Sequence, residues 1–297
     1  MTATTPTSPR VSIVLPFRDA GRFLRETIES VRAQRYAHWE LILVDDGSRD
    51  ESVAIAREAV GGDPERVRYV QHPGGANRGI SASRNAGIRL ARGDFLALLD
   101  GDDVWLPDKL SDQVALLVAH PAVGMLYGET QYWYSWTGRP EDMGRDMYPD
   151  LGVAATSVVA PPEMWVRCLT ERAAVPCPCS VVLRRDVVTR VGGFEEQFTG
   201  MFEDQAFYAK VMLREPVLVA RKRWDRYRRH SDSVYSAAKR DGTVRIARLS
   251  FLAWLERYLT ETDITDRAVW RAVRHATWAT RHPRLASVVR RFQLLGP

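Results

Sequence analysis

The spacing of apolar positions changes character partway along the chain. Over the first hundred residues, short apolar runs alternate with segments whose apolar residues recur every three or four positions. The runs are Val11-Ser12-Ile13-Val14-Leu15, Leu41-Ile42-Leu43-Val44, Val67-Arg68-Tyr69-Val70 and Phe95-Leu96-Ala97-Leu98-Leu99, and they predict strands, mostly buried on both faces. Between them, Phe23, Leu24, Thr27, Ile28 and Val31 share one face of a helix over 21–34. Val53, Ala54, Ala56 and Val60 mark a second helix, with Ser48 and Asp50 as its candidate N-caps. A third helix runs over 81–91, after the glycine-rich turn from Gly74 to Gly79. This alternation predicts an α/β fold with a mainly parallel sheet and right-handed crossovers.

Beyond Pro107 the order loosens. Leu110, Val114, Leu117 and Val118 predict a helix, and Val123 to Tyr127 a strand. The stretch from Tyr132 to Val166 is rich in aromatic residues and has no period, as binding loops often do. Ser180 to Leu183 reads as a strand, 186–191 as a helix, and Met201-Phe202-Glu203-Asp204-Gln205 as the opening of another helix. Pro216 to Ala220 reads as an edge strand running into a basic cluster. From about residue 239 the pattern is helical. The division expected is a loose leader over 1–9, an α/β domain over 10–235 and a C-terminal helical segment over 236–297.

Composition narrows the setting. The 297 residues carry a net charge of +5 and ordinary apolar and charged fractions. No uncharged apolar run reaches the ~20 residues of a membrane span, and the Thr/Ser/Pro-rich start lacks a signal-peptide core, so a cytoplasmic protein is expected. Cys168, Cys177 and Cys179 are an odd set without metal or redox spacing, which predicts buried free thiols. Positive charge gathers at Arg221-Lys222-Arg223, Arg226 and Arg228-Arg229. It gathers again at Arg267, Arg271, Arg274, Arg281, Arg284, Arg290 and Arg291. Such clusters suit phosphate-bearing ligands, an anionic membrane face, or solvated helix surfaces. No nucleic-acid-binding module is recognisable.

The candidate chemistry sits where two strands end. Asp45-Asp46 closes the second strand, and Asp100-Gly101-Asp102-Asp103 closes the fourth. Carboxyl ends of strands in open α/β sheets are where ligands bind. Three carboxylates within four positions raise one another's pKa, and a divalent cation relieves that conflict. Hard oxygen ligands with open positions suit Mg2+ or Mn2+ holding phosphates.

Five segments, in this order, resemble the family-2-type glycosyltransferases of the GT-A fold. They are Ile13-Val14-Leu15-Pro16-Phe17, Leu43-Val44-Asp45-Asp46-Gly47-Ser48, Ser83-Arg84-Asn85-Ala86-Gly87, Leu98-Leu99-Asp100-Gly101-Asp102-Asp103, and Gly193-Phe194 with Phe202-Glu203-Asp204. The resemblance covers about residues 10–235. It implies a mixed, mainly parallel sheet flanked by helices, and inverting, non-processive transfer from a nucleotide-diphosphate sugar, a UDP-sugar being favoured. A saccharide or lipid-linked acceptor is the implied partner, with peripheral membrane contact through the basic C-terminal helices. By the same resemblance, Pro16, Phe17, Asp45, Asp46, Arg84, Asp100 and Gly101 belong to the nucleotide-sugar site. Asp102 is the metal ligand, with His230 beside the metal and diphosphate, and Asp204 is the catalytic base next to Glu203. Trp133, Tyr134, Trp136 and Tyr148 are candidates to stack on a sugar or to pack against the sheet. The sequence departs from the family at Arg18-Asp19, where Tyr-Asn is common, and at Ser231-Asp232, where Pro-Gly is frequent. Two other readings stay open, a sugar-nucleotide nucleotidyltransferase and an inactive sugar- or membrane-binding relative. The loop Arg18-Asp19-Ala20-Gly21-Arg22 is unlike the glycine-rich loop of the first, and the full set of carboxylates speaks against the second.

Overall fold

Each apolar run forms a strand in the computed structural model, which describes residues 9–287. The leader expected before Pro9 and the basic residues Arg290 and Arg291 lie outside the described residues. The first half runs β1 (Val11–Phe17), α1 (Gly21–Arg32), β2 (Trp39–Asp45), α2 (Ser52–Gly62), β3 (Val67–Gln71), α3 (Ile80–Leu90) and β4 (Phe95–Leu98). There follow β5 (Val104–Trp105), α4 (Lys109–Ala119), β6 (Met125–Trp133), β7 (Ser157–Val159), α5 (Glu163–Leu169), β8 (Val182–Arg184) and α6 (Arg185–Val191). The chain closes with α7 (Glu203–Met212), β9 (Val217–Arg228), α8 (Val234–Arg240), α9 (Val244–Glu261) and α10 (Arg267–Arg281).

These strands make one sheet in the order β3-β2-β1-β4-β8-β6-β9-β5, with β7 paired to β9. The first four are mutually parallel, as the strand–helix alternation requires. Beyond β4 the sheet is mixed: β8 runs antiparallel to both β4 and β6, and only β6 with β9 adds a further parallel pair. Side chains alternate across the sheet. Val11, Ile13, Leu15 and Phe17 pack with α1, α2 and α4 on one face, while Val14, Leu96 and Leu98 join α5, α7, α9 and α10 on the other. Phe251, Leu252, Leu255 and Val273 of the last two helices thus share a core with the strands themselves. The close approach of α3 to the sheet needs glycine at Gly87, where a Cβ would lie 2.5 Å from Val14 Cγ1.

Three local expectations are corrected. Pro216 to Ala220 is not an edge: β9 extends over twelve residues and is paired on both sides, by β6 and by β5 and β7. A register shift against Gly128–Thr130 turns Arg221, Lys222 and Arg223 outward, which is how a basic run sits within an interior strand. Ser48 does not cap α2, because its hydroxyl accepts from the Asp19 amide. Asp50 does serve the start of α2, accepting from Ser52 N at 3.0 Å, and it also accepts from Gly21 N at 2.8 Å. The aperiodic stretch 132–166 is partly ordered into the end of β6, β7 and α5. The three cysteines are buried and free, as expected. Among the described residues no helix is long and apolar enough to cross a membrane.

Candidate functional site

The carboxyl ends of β1, β2 and β4 open onto a cleft of about 1070 Å³, closed on its far side by the start of α7 and the chain after β9. Pro16 and Phe17 form one wall, continuing β1 in register with Val44 and Asp45. Gly101 reaches the same surface, and a side chain there would press on Phe17 and Ala20, 3.1 and 3.3 Å away.

The two acids that end β2 have different tasks. Asp45 is buried, accepting from Ser48 N at 2.8 Å and from the Tyr69 hydroxyl at 2.8 Å, and it does not line the cleft. Burial, then that carboxylate, push the Tyr69 phenol up to about 12. Asp46 does line the cleft, and its carboxylate gathers the amides of Arg78 (2.7 Å) and Gly79 (3.0 Å), fixing the glycine-rich turn against the end of β2.

Arg84 lies beneath the cleft floor. Only 1% exposed, its guanidinium donates to Asp100 at 2.7 Å and to Glu203 at 3.2 Å, and lies 5.1 Å from the Phe194 ring centroid. One buried cation thereby ties the end of β4 to the first turn of α7. Burial raises the Asp100 carboxyl above the usual range, with Arg84 opposing and Asp102 adding to the rise.

Asp102 meets His230 across the cleft, its Oδ2 2.9 Å from Nε2, and the other ring nitrogen of His230 is buried without a partner. Asp103 points away into the protein. It accepts from Arg228 N at 2.9 Å, its second oxygen has no partner, and burial with the charges of Asp102 and Asp100 pushes its carboxyl well up. Among the described residues no three His, Cys, Asp or Glu side chains are grouped to hold a metal unaided. One carboxylate and one imidazole facing a cleft are nevertheless a donor set that fits Mg2+ or Mn2+, if phosphate oxygens and water complete the shell.

Asp204 faces the cleft from the first turn of α7, next to Glu203, which Arg84 holds. The helix can start there because Phe202 takes a left-handed backbone conformation, φ 63°. Burial, then the adjoining Glu203 charge, push the Asp204 carboxyl up to about 7 against the pull of Arg84. A carboxylate tuned so near neutrality can accept a proton at physiological pH.

Sequence reasoning placed Arg228 and Arg229 in a basic cluster without giving either a role. Arg228 fixes the acidic turn, donating through Nε to Asp102 O at 2.7 Å and through Nη2 to Glu26 at 2.6 Å. Arg229 faces the cleft beside Tyr132 and Tyr227, whose ring centroids are each 5.4 Å from its guanidinium. The alternation of β9 was the available signal: Tyr227 and Arg229 take the cleft side and Arg226 and Arg228 the other. The four candidate aromatics lie outside the cleft. Trp133 stacks under Arg226 and Arg228, Tyr134 under Arg145, and Tyr148 under Arg223, while Trp136 packs edge-on against Phe23, so none of the four lines the cleft. Guanidinium groups, Arg223, Arg226 and Arg228 from β9 and Arg145 from the loop after β6, cover the faces of Tyr148, Trp133 and Tyr134.

Comparison with known proteins agrees with this architecture. EpsE of Bacillus subtilis is 38% identical over 112 residues, 38% of this chain and 40% of its own length. The UDP-Glc:alpha-D-GlcNAc-diphosphoundecaprenol beta-1,3-glucosyltransferase WfgD of Escherichia coli is 31% identical over 118 residues, 40% of this chain and 44% of its own. The chain spans less than half the length of these relatives. The mannosyltransferase PcManGT of Pyrobaculum calidifontis, solved with GDP-Man and Mn2+, superposes with a TM-score of 0.60 at 17% identity, covering 97% of this chain and 81% of that one, and shares the GT-A fold. The model of the family described as glycosyl transferase family 2 matches residues 12–191, well over half of the chain, and to that family this protein belongs.

Proposed function

We propose that the protein transfers a sugar, with inversion, from a nucleotide diphosphate donor to a hydroxyl of a saccharide or lipid-linked acceptor. A single observation carries the reading: the Asp102–His230 pair and the near-neutral Asp204 face one cleft, at the strand ends where a nucleotide fits. Asp46, Pro16 and Phe17 offer the wall for the nucleoside, with Asp100 near the ribose and Arg84 fixing Asp100 from below. Arg229 supplies positive charge toward the diphosphate. Asp102 and His230 would hold a divalent ion, which supplies Lewis-acid stabilisation of the leaving diphosphate. Asp204 takes the proton of the acceptor hydroxyl. That oxygen bonds to the anomeric carbon as the bond to the β-phosphate oxygen breaks, and the electron pair leaves with the nucleoside diphosphate.

A uridine nucleotide is favoured by WfgD, whose name states UDP-Glc as donor, and a divalent ion by PcManGT, solved with Mn2+. WfgD also acts on a diphosphoundecaprenol-linked sugar. Arg267, Arg271, Arg274 and Arg281 are exposed along α10, opposite the buried Val269, Ala272, Val273 and Ala276, and that basic face suits contact with the membrane bearing such an acceptor. The test is release of UDP from UDP-glucose and UDP-N-acetylglucosamine, measured with Mn2+ and with EDTA. Metal-dependent release that is lost in Asp102→Ala is expected. Equal release in EDTA, or an Asp102→Ala variant as active as its parent, refutes the reading.

A further inference from the structure

The mouth of the cleft carries apolar surface that neither the donor nor the base explains. Of the large apolar side chains exposed among the described residues, only Val234 and Tyr235 line the cleft, standing 59% and 44% exposed. They open α8, a seven-residue helix in which only Ala238 is buried, so the helix presents these side chains outward rather than to the core. Single exposed apolar residues need no account, but an adjacent pair at a cleft is surface that a ligand covers. The pair is held in place. Ser233 caps α8 by accepting from Ser236 N at 3.3 Å, the Ser236 hydroxyl donates to His230 O at 2.9 Å, and Arg240 donates to Ser231 O at 2.7 Å. The helix is thereby tied to the His230 that meets Asp102. Tyr235 leans on Arg229, whose guanidinium is 5.6 Å from its ring centroid. Val234 Cγ1 lies 3.4 Å from where a Cβ at Gly200 would stand, four residues before Asp204. Lys239 follows Tyr235 by four positions, on the same side of the helix, and is exposed with no partner among the described residues. The cleft's volume, about 1070 Å³, exceeds the ~300–1,000 Å³ of a pocket for one small ligand, which leaves room beside a nucleotide.

We infer that Val234 and Tyr235 seat the apolar chain of a lipid-linked acceptor where it leaves the cleft, with Lys239 beside the phosphate that joins lipid to sugar. The inference rests on the glycosyltransferase reading and narrows its acceptor from any saccharide to one with an apolar aglycone. The pair and Asp204 line the same cleft, so a sugar held by its chain at α8 can bring its hydroxyl to the base and to the anomeric carbon of the donor. Each buried methylene is worth about fourfold in affinity, and two side chains of this size cover several.

The probes are methyl β-glucoside, octyl β-glucoside below its micelle concentration, and glucose joined to octanol through a diphosphate. Each is titrated by calorimetry into protein loaded with UDP and Mg2+. The octyl chain is expected to tighten binding by about tenfold or more over methyl, and the diphosphate by about threefold again. In the double variant Val234→Ser, Tyr235→Ser the octyl advantage should fall to about threefold or less, with UDP affinity unchanged. Should that variant melt well below its parent, Tyr235→Ser alone takes its place, with a loss of about threefold expected. Lys239→Ala should remove only the gain from the diphosphate. Equal binding of the methyl and octyl glucosides, an octyl advantage that survives the double substitution, or a diphosphate gain untouched by Lys239→Ala each overturns the inference. A double variant that loses UDP affinity also overturns it, because the pair would then serve the donor. Absent UDP binding by the parent overturns the glycosyltransferase reading instead.

Discussion

Asp204→Asn should remove most turnover and, at the same time, stabilise the protein in a pH-dependent way. In the folded chain burial and then the Glu203 charge push this carboxyl from its ordinary 3.8 up to about 7. Between those two values the folded chain keeps a proton that the unfolded chain has released, so this group's contribution to stability is most favourable in acid and declines as pH rises toward 7. Above pH 7 both states carry the charge, and the folded state bears the whole penalty of a carboxylate in that setting. At about 1.4 kcal/mol per unit the penalty is on the order of 2–4 kcal/mol at pH 8, the lower figure allowing for solvent screening at a carboxylate that faces the cleft. Asparagine keeps the shape and an oxygen able to accept from Gln205 N, which Asp204 Oδ1 now does at 2.7 Å. For a chain this long, ~2–4 kcal/mol corresponds to a rise in Tm of roughly 4–8 °C. The gain at pH 5 should be less than half that at pH 8. Calorimetric melting of both proteins at the two pH values, with UDP-release assays alongside, gives the comparison. Loss of general-base help should lower kcat by about 10²–10⁴-fold with UDP affinity retained. A Tm gain that is absent at pH 8, or larger at pH 5, would refute the electrostatic account. Parental turnover would refute the role of Asp204 as base.

Other consequences are equally concrete. His230→Ala should weaken Mn2+-dependent UDP binding while leaving metal-free binding unchanged, and calorimetry with and without EDTA reads both. Arg84→Met removes the buried cation between Asp100 and Glu203 and should cost about 2–4 kcal/mol of stability in denaturant melts, because a partly exposed and a buried carboxylate lose the charge they share. The same change removes the charge that holds the Asp204 carboxyl down, so the rising limb of kcat/KM against pH should move to higher pH, and a shift to lower pH would contradict that wiring. Gly87→Ala should lower stability by about 1–3 kcal/mol, since the new Cβ would meet Val14 at 2.5 Å and α3 must back away from β1. A neutral effect on Tm would show that α3 can shift freely.

Local pattern carried much of this protein. Uninterrupted apolar runs with helical periods between them can satisfy their backbone and bury their side chains only as parallel strands under helices, so β1 to β4 and their crossovers follow from residues 11–99. The acids at the ends of β2 and β4 follow as well, because strand direction alone puts them at one edge. Pairings between distant segments lie outside such a pattern. Nothing local tells Asp45, turned to Tyr69 and Ser48, from Asp46, turned to the cleft. Arg84 finds Glu203 across 119 residues and Asp102 finds His230 across 128, and these contacts exist only once α7 and β9 have docked. The same holds for the interior place of β9 and the arginines that occupy Trp133 and Tyr148. Periodicity records which face a residue turns to the core. Which partner waits there is decided by packing, where burial makes each unpaired charge costly enough to choose its neighbour.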